Sequence, residues 1–210
     1  AWFSNVAIYT MLVDFGSSEM AISIVTAMHF LPAILIAPFS GAIIDRVKIK
    51  PLMITLLATE LLMTILFLTI DNKDDLWLLM ILIFVRMSAA SMFFSTEMSL
   101  LAKLLRGKPL QMANEIHSII WSFTYAAGMA VSGFVVNWYG VKTAFMIDAV
   151  IFAIALIVFI RIDFVVKAST ATDKILQLVK DGFTYIKNDK IILHLIFLHS
   201  SVGLTSFDAL

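Results

Sequence analysis

Seven times along this chain an apolar run begins, and most of these runs stop at charged residues. The runs are Trp2 to Val13, Met20 to Ile44, Leu52 to Ile70, Leu76 to about Leu105, about Leu110 to Trp138, Val141 to Ile160, and one that starts near Ile191. A helix rising 1.5 Å per residue needs about 20 such residues to cross a bilayer, and most of these runs suffice. Of the 210 residues 61% are hydrophobic and only 14% charged, whereas soluble domains carry about 25% charged residues. A globule of this size would still need a charged surface. The predicted fold class is therefore all-α integral membrane: a six-helix bundle plus the start of a seventh helix.

Several functions fall away at once. The net charge is zero, so no basic field invites nucleic acid. With no cysteine and four scattered histidines, there is no disulfide framework, no thiolate metal site and no cysteine nucleophile. No second ligand stands at a spacing suited to metal, and no cofactor is implied. No phosphate-binding loop is present, so ATP hydrolysis is not expected, and no paired set for intramembrane catalysis stands out. The chain is not read as an enzyme. It opens on Ala within an apolar run, with no basic n-region, and it closes inside another; both ends look cut through a helix, as in a piece of something longer.

Topology follows from the basic residues. If the links after helices two, four and six are cytoplasmic, they hold Arg46, Lys48 and Lys50, then Lys103, Arg106 and Lys108, then Arg161, Lys167, Lys174, Lys180, Lys187 and Lys190. The opposite links hold Lys73 and Lys142, and Arg86 lies within a helix. Positive charge collects on the cytoplasmic side, which predicts a multi-pass protein of the cytoplasmic (inner) membrane with its N-terminus inside. The expected domains are 1–161, a bundle whose first helix is truncated; 162–190, a cytoplasmic linker; and 191–210, the truncated start of a second bundle. Within the linker, Ile175, Leu178, Val179, Phe183 and Ile186 share one helical face opposite Lys174, Lys180, Asp181 and Lys187. That amphipathic helix either lies at the interface or packs on the helix ends.

The stretch "SGAIIDRVKIKP" ends the second run. An Asp at a helix C-terminus faces partial negative charge, so Asp45 needs a partner, and Gly41 allows close backbone approach. Gly41, Asp45, Arg46, Lys48 and Lys50 in this place resemble the helix-two to helix-three motif of the major facilitator superfamily, with Lys48 where that motif has a second Gly. "FGSSEMAISIVTAMHFLPAILIAPFSGAIIDR" is similar to the second helix of the exporter branch that includes enterobactin exporters and macrolide efflux proteins. "QMANEIHSIIWSFTYAAGMAVSGFVV" is similar to that branch's fifth helix. There Gly128 and Gly133 match the glycines of an antiporter motif, and Met129 replaces its Pro. The resemblance covers the first half of a twelve-helix fold. It implies a secondary transporter in which two six-helix bundles rock around a central cavity, with the Asp-Arg link bracing one arrangement.

Ionisable groups inside apolar runs are costly and mark cavities or partners. Arg86, Glu60 and Asp148 lie deep in helices four, three and six, at depths that let Arg86 pair with either acid. They fasten the bundle or relay protons or substrate. Glu97 is near the cytoplasmic end of helix four, and Asp45 or Arg46 is expected to contact the Glu97 to Arg106 region; Glu115 complements a helix start. His29 is read as packed or hydrogen-bonded. Pro32 and Pro38 should bend helix two, while the small residues Ala33, Ala37 and Gly41, and Gly128 and Ser132, suit close helix packing. Met92, Phe93, Phe94, Trp121, Phe123 and Tyr125 are candidates for an apolar cavity; Trp77 and Trp138 are expected as outer interfacial anchors. The function read from all this is proton-coupled efflux of a drug, siderophore or other amphipathic small molecule. Its partners are the substrate, protons, the bilayer, and a missing C-terminal half or a second copy. Lysophospholipid movement by the same superfamily and a non-transporting scaffold or truncated relic are the alternatives.

Overall fold

The structure, a computed structural model, describes residues 2–164 and 175–205. Every regular element among them is helical, as the apolar runs require: lipid offers no partner for an open backbone amide, and a helix satisfies its own. In order these are α1 (Trp2–Asp14), α2 (Glu19–Ile44), α3 (Ile49–Leu66), α4 (Leu76–Leu104), α5 (Lys108–Tyr139), α6 (Val141–Arg161), α7 (Ile175–Asn188) and α8 (Lys190–Thr205). One 3-10 turn (Phe67–Thr69) extends α3, and another (Lys73–Asp75) leads into α4. Of the eight helices, α2 to α6 are long and apolar enough to cross a membrane.

The stops between helices have local causes. Ser18 caps α2, its Oγ accepting from the Ala21 amide at 3.3 Å. Asp75 closes the turn before α4 by accepting from the Asp71 and Asn72 amides, each at 3.1 Å. Gly107 and Gly140 adopt φ of +61° and +83° on either side of α5, a backbone region that favours glycine. α2 runs unbroken across Pro32 and Pro38.

The chain forms two compact units, Ala1–Ser169 and Thr170–Leu210. In the first, α2 packs along α4, α3 lies against both α4 and α6, and α1 lies against α5 and α6. The helices alternate in direction, so their links collect at two ends. One end, called here the Asp45 end, holds links 45–48 and 105–107 and residues 162–164; Lys103 Nζ reaches Asp45 and Lys50 Nζ reaches Asp163, each at 3.0 Å. The other, the Asp71 end, is tied by Lys73 Nζ to the Gly16 carbonyl at 3.1 Å and by an ion pair between Lys142 and Asp71. Trp77 and Trp138 are both exposed there.

The larger apolar core joins α1, α4 and α6 and includes Ile8, Leu12, Phe67, Leu79, Ile83 and Phe145. A smaller one, of Ile44, Ile49, Met53 and Met92, lies toward the Asp45 end. α5 is the outlier. Of its 32 residues Ser132 is the one that is buried, and it donates its hydroxyl to the Phe3 carbonyl of α1.

The small-residue stripe of α2 does not pack as its spacing suggests. Ala33, Ala37 and Gly41 are all exposed, and the buried side is formed by Val25, His29, Pro32, Ser40, Ala42 and Ile44. Nothing lies within 4 Å of where a Cβ on Gly41 or Gly133 would sit. Close backbone approach at Gly41 is therefore not a property of this unit, because the neighbouring helices pack on the opposite side of α2.

In the second unit α8 follows α7 after the single residue Asp189. On α7, Val179 and Ile186 are half-buried while Phe183, Lys180, Asp181 and Lys187 are exposed. Lys167 and Lys174 lie outside the described residues, as do the side chains of Ile175 and Leu178.

Candidate functional site

The most costly residues of the first unit have been gathered into one place. Arg86 of α4 donates from Nη2 to Oδ2 of Asp148 on α6 at 2.8 Å, with side chains 2% and 3% exposed. Of the two acids within its expected reach, Asp148 is the one in contact. The same Oδ2 accepts from the Ser4 hydroxyl of α1, so one carboxylate joins three helices. The guanidinium carbon stands 5.5 Å from the Phe67 ring centroid and 5.3 Å from that of Phe152. Two aromatic faces thus flank a cation that would otherwise meet hydrocarbon. Arg86 Nε is buried with no hydrogen-bond partner among the described residues.

Glu60 of α3 is 5% exposed and lies within coulombic range of both Arg86 and Asp148. Two acids and one base therefore share this layer, so with all three charged the cluster would carry a formal charge of −1. His29 of α2 is packed as expected: its ring stacks on Tyr9 at 5.7 Å, Nδ1 meets the Val25 carbonyl at 3.0 Å, and Nε2 meets Asn5 Oδ1 at 3.1 Å. Helices α1, α2, α3, α4 and α6 all contribute a polar side chain to this layer.

At the Asp45 end the geometry is open. Asp45 caps α2, its amide donating to the Gly41 carbonyl at 3.0 Å. Its carboxylate accepts from Lys103 in the last turn of α4, with side chains 49% and 29% exposed. Nε and Nη2 of Arg46 are buried without a partner among the described residues. Lys48 precedes α3, and Lys50 pairs with Asp163. The expected contact between this link and the 97–106 region is thus made by Lys103, and Glu97 itself does not reach the link. It faces α5 instead, where its Oε1 stands 3.5 Å from His117 Nδ1. Glu115 accepts from Gln111 one turn away at 2.9 Å.

The aromatic residues proposed for one cavity are dispersed. Met92 is buried in the smaller core, and Phe93 packs edge-on to Phe159 of α6. Phe123 is exposed. Phe94 meets His117, and Trp121 stacks on Tyr125. A helix turns 100° per residue, so adjacent positions such as Phe93 and Phe94 point to different neighbours.

Sequence reading overlooked Ser4, Asn5, Phe67, Phe152 and His117. A hydroxyl or amide within an apolar run was the available signal for the first two. For His117 the signal was its position one turn before Trp121 and two before Tyr125. Nothing in the sequence marked Phe67 and Phe152 as flanking Arg86, because that requires knowing which helices are neighbours.

Residues 1–209 match the model of the Major Facilitator Superfamily. An uncharacterised MFS-type transporter of Bacillus subtilis (strain 168), YfiS, is 26% identical over 198 residues, covering 91% of this chain and 47% of that protein. The chain thus spans about half the length of the curated relative it matches. Apolar helices that cross a membrane several times, polar side chains turned inward, and a match along nearly the whole length lead to one conclusion: the chain belongs to the Major Facilitator Superfamily.

Proposed function

We propose that this chain is the N-terminal half of a proton-coupled exporter of amphipathic small molecules, working by alternating access. The observation that carries this is the buried cluster of Glu60, Arg86 and Asp148. Two acids with one base among membrane-spanning helices form a group whose charge changes with a single proton, and charged groups at such depth are kept for function or for fastening. Arg86 and Asp148 do the fastening, and Glu60 carries the proton.

Alternating access needs two bundles moving about a common site, so the working unit is this half with its C-terminal counterpart or a second copy. The excess of basic residues at the Asp45 end supports placing that end in the cytoplasm of a cell-membrane protein. Asp45 and Lys103 then form a brace that is made and broken as the halves rock. The affiliation with drug, siderophore and macrolide exporters rests on helix-two and helix-five resemblance, and Gly128 and Gly133 are the positions it would use for antiport.

The test is flux from proteoliposomes holding the full-length protein, with an imposed pH gradient. Export of an amphipathic dye should be driven by the gradient in the wild type. Glu60→Gln should bind the dye yet lose the dependence on the gradient. Gradient-driven export that persists unchanged in Glu60→Gln removes Glu60 from coupling, and absence of flux with any amphipathic compound removes the transporter reading.

A further inference from the structure

Two neighbouring residues of α1 are gripped from opposite sides. The Phe3 carbonyl accepts from the Ser132 hydroxyl of α5 at 2.5 Å, and the Ser4 hydroxyl donates to Oδ2 of Asp148 on α6. Ser4 and Ser132 are both fully buried, so neither hydroxyl has water to turn to. The Phe3 oxygen and the Ser4 Cα belong to one peptide unit, which is planar. The bond that fixes the oxygen therefore also fixes the atom from which the Ser4 side chain hangs. Between that atom and the hydroxyl stand only a helical φ and one staggered side-chain torsion. Ser132 is the one buried residue of α5, so this tie is where α5 enters the interior of the first unit.

The Ser4 hydroxyl meets one of two unequal acids. Oδ2 of Asp148 receives two donors, Ser4 and Nη2 of Arg86, the latter at 2.8 Å. Among the described residues no donor meets the Glu60 carboxylate, and the Thr64 hydroxyl one turn on bonds the Glu60 backbone carbonyl instead at 2.8 Å. A hydrogen bond made to the charged form of an acid favours that form, and an ionised acceptor makes the bond stronger than a neutral one. The charged groups that face Asp148 are Arg86 of α4 and Glu60 of α3. From α1 it meets a hydroxyl, and α5 meets α1 with another. Arg86 acts on both acids, whereas Ser4 acts on Asp148 alone.

We infer that the Phe3–Ser4 step of α1 is a positioning node that ties α5 to the charge on Asp148: Ser132 fixes the peptide unit, and the Ser4 hydroxyl hung from it favours the ionised carboxylate. With both ties made, the proton that the cluster takes up goes to Glu60. A shift of α5 that opens the Ser132 bond loosens Ser4 and lets Asp148 compete for that proton. The inference rests on the transporter reading for its purpose, since it gives α5 a hold on the proton site, but its test reads Asp148 alone.

The experiment is infrared spectroscopy of the full-length protein in nanodiscs across a pH series, with the aspartate side-chain carboxyls labelled with carbon-13. The protonated Asp148 band is the label-sensitive carbonyl band that Asp148→Asn removes. At a given pH, Ser4→Ala should raise the protonated fraction of Asp148 by about tenfold, the loss expected for a hydrogen bond to a charged group. Ser4→Thr, which keeps the hydroxyl, should stay within about twofold of the wild type. Ser132→Ala should raise the same fraction by about threefold, because it loosens Ser4 without removing it. Ser118→Ala, on the same helix but bonded to the Asn114 carbonyl, should change nothing. An Asp148 band that ignores Ser4→Ala overturns the node. So does an equal rise in the Ala and Thr variants of Ser4, which marks disturbed packing, and so does a band that ignores Ser132→Ala, which removes α5 from it. A protein that exports along the proton gradient while Asp148 ignores both serines loses the node alone; one whose Asp148 answers to both yet moves no compound loses the transporter reading alone.

Discussion

Two cations of α4, Arg86 and Lys103, each hold an aspartate from another part of the first unit at nearly the same distance, 2.8 Å and 3.0 Å. They stand seventeen residues apart, so about 25 Å separates them along the helix. Arg86 and Asp148 are shut away from solvent, while Lys103 and Asp45 are each partly exposed. That difference decides what each pair can do. Breaking the buried pair strips a charge of its hydrogen-bonded partner where water cannot take that partner's place. Breaking the exposed pair hands both ends to water at little cost. A brace that must open repeatedly belongs at the second position, and a permanent fastening at the first.

The contrast is most open to attack at the buried pair. Asp148→Ala should lower stability by about 3–5 kcal/mol, the range for stranding a buried charge, read as a fall in unfolding temperature of the purified protein in detergent. A triple variant, Glu60→Gln with Arg86→Met and Asp148→Leu, should be less damaging than Asp148→Ala, because it leaves no charge stranded in the cluster. If the single and triple variants unfold alike, the pair is not fastening the bundle.

Ser132→Ala tests a neutral tie of intermediate size. It leaves the buried Phe3 carbonyl without its donor from α5, at an expected cost of about 1–3 kcal/mol, measured in the same unfolding assay. At the exposed pair, Lys103→Ala should change stability by no more than about 1 kcal/mol while lowering export by the full-length protein. Asp45→Asn should act alike, and the double variant should be no worse than either. Unchanged export in both would return the link to an ordinary charged loop. The smallest effect is expected at Lys50, whose partner Asp163 is almost wholly exposed. Lys50→Ala should move the unfolding temperature hardly at all, and 1 M salt, which shortens screening to about 3 Å, should erase what remains.

Much of this architecture could be read from the apolar runs. They end where the helices end to within a few residues, at Ile44 for α2 and beside Gly140 for α5 and α6. The boundaries are legible because charge, glycine and capping residues act locally. The depth of Glu60, Arg86 and Asp148 was legible for the same reason, since depth is only distance along a run. Which side of a helix faces its neighbours was not. Ala33, Ala37 and Gly41 have the spacing of a packing stripe yet lie exposed, and Glu97 turns to α5 rather than to the Asp45 link. In lipid the outward face is as apolar as the inward one, so the hydrophobic pattern that orients a soluble helix is nearly flat here. Polar residues carry what orientation signal there is.

The hold on α5 has a mechanical side. Its one buried residue, Ser132, lies seven residues from Tyr139 and twenty-four from Lys108, or about 10 Å and about 36 Å along the axis. A helix pinned there behaves as an unequal lever. A tilt of about 5° about Ser132 would shift the Tyr139 end by about 1 Å and the Lys108 end by about 3 Å over those arm lengths. Glu97's neighbour His117 rides on the long arm, about 22 Å from the pivot, so a small adjustment near Phe3 would be delivered to it as a displacement of about 2 Å.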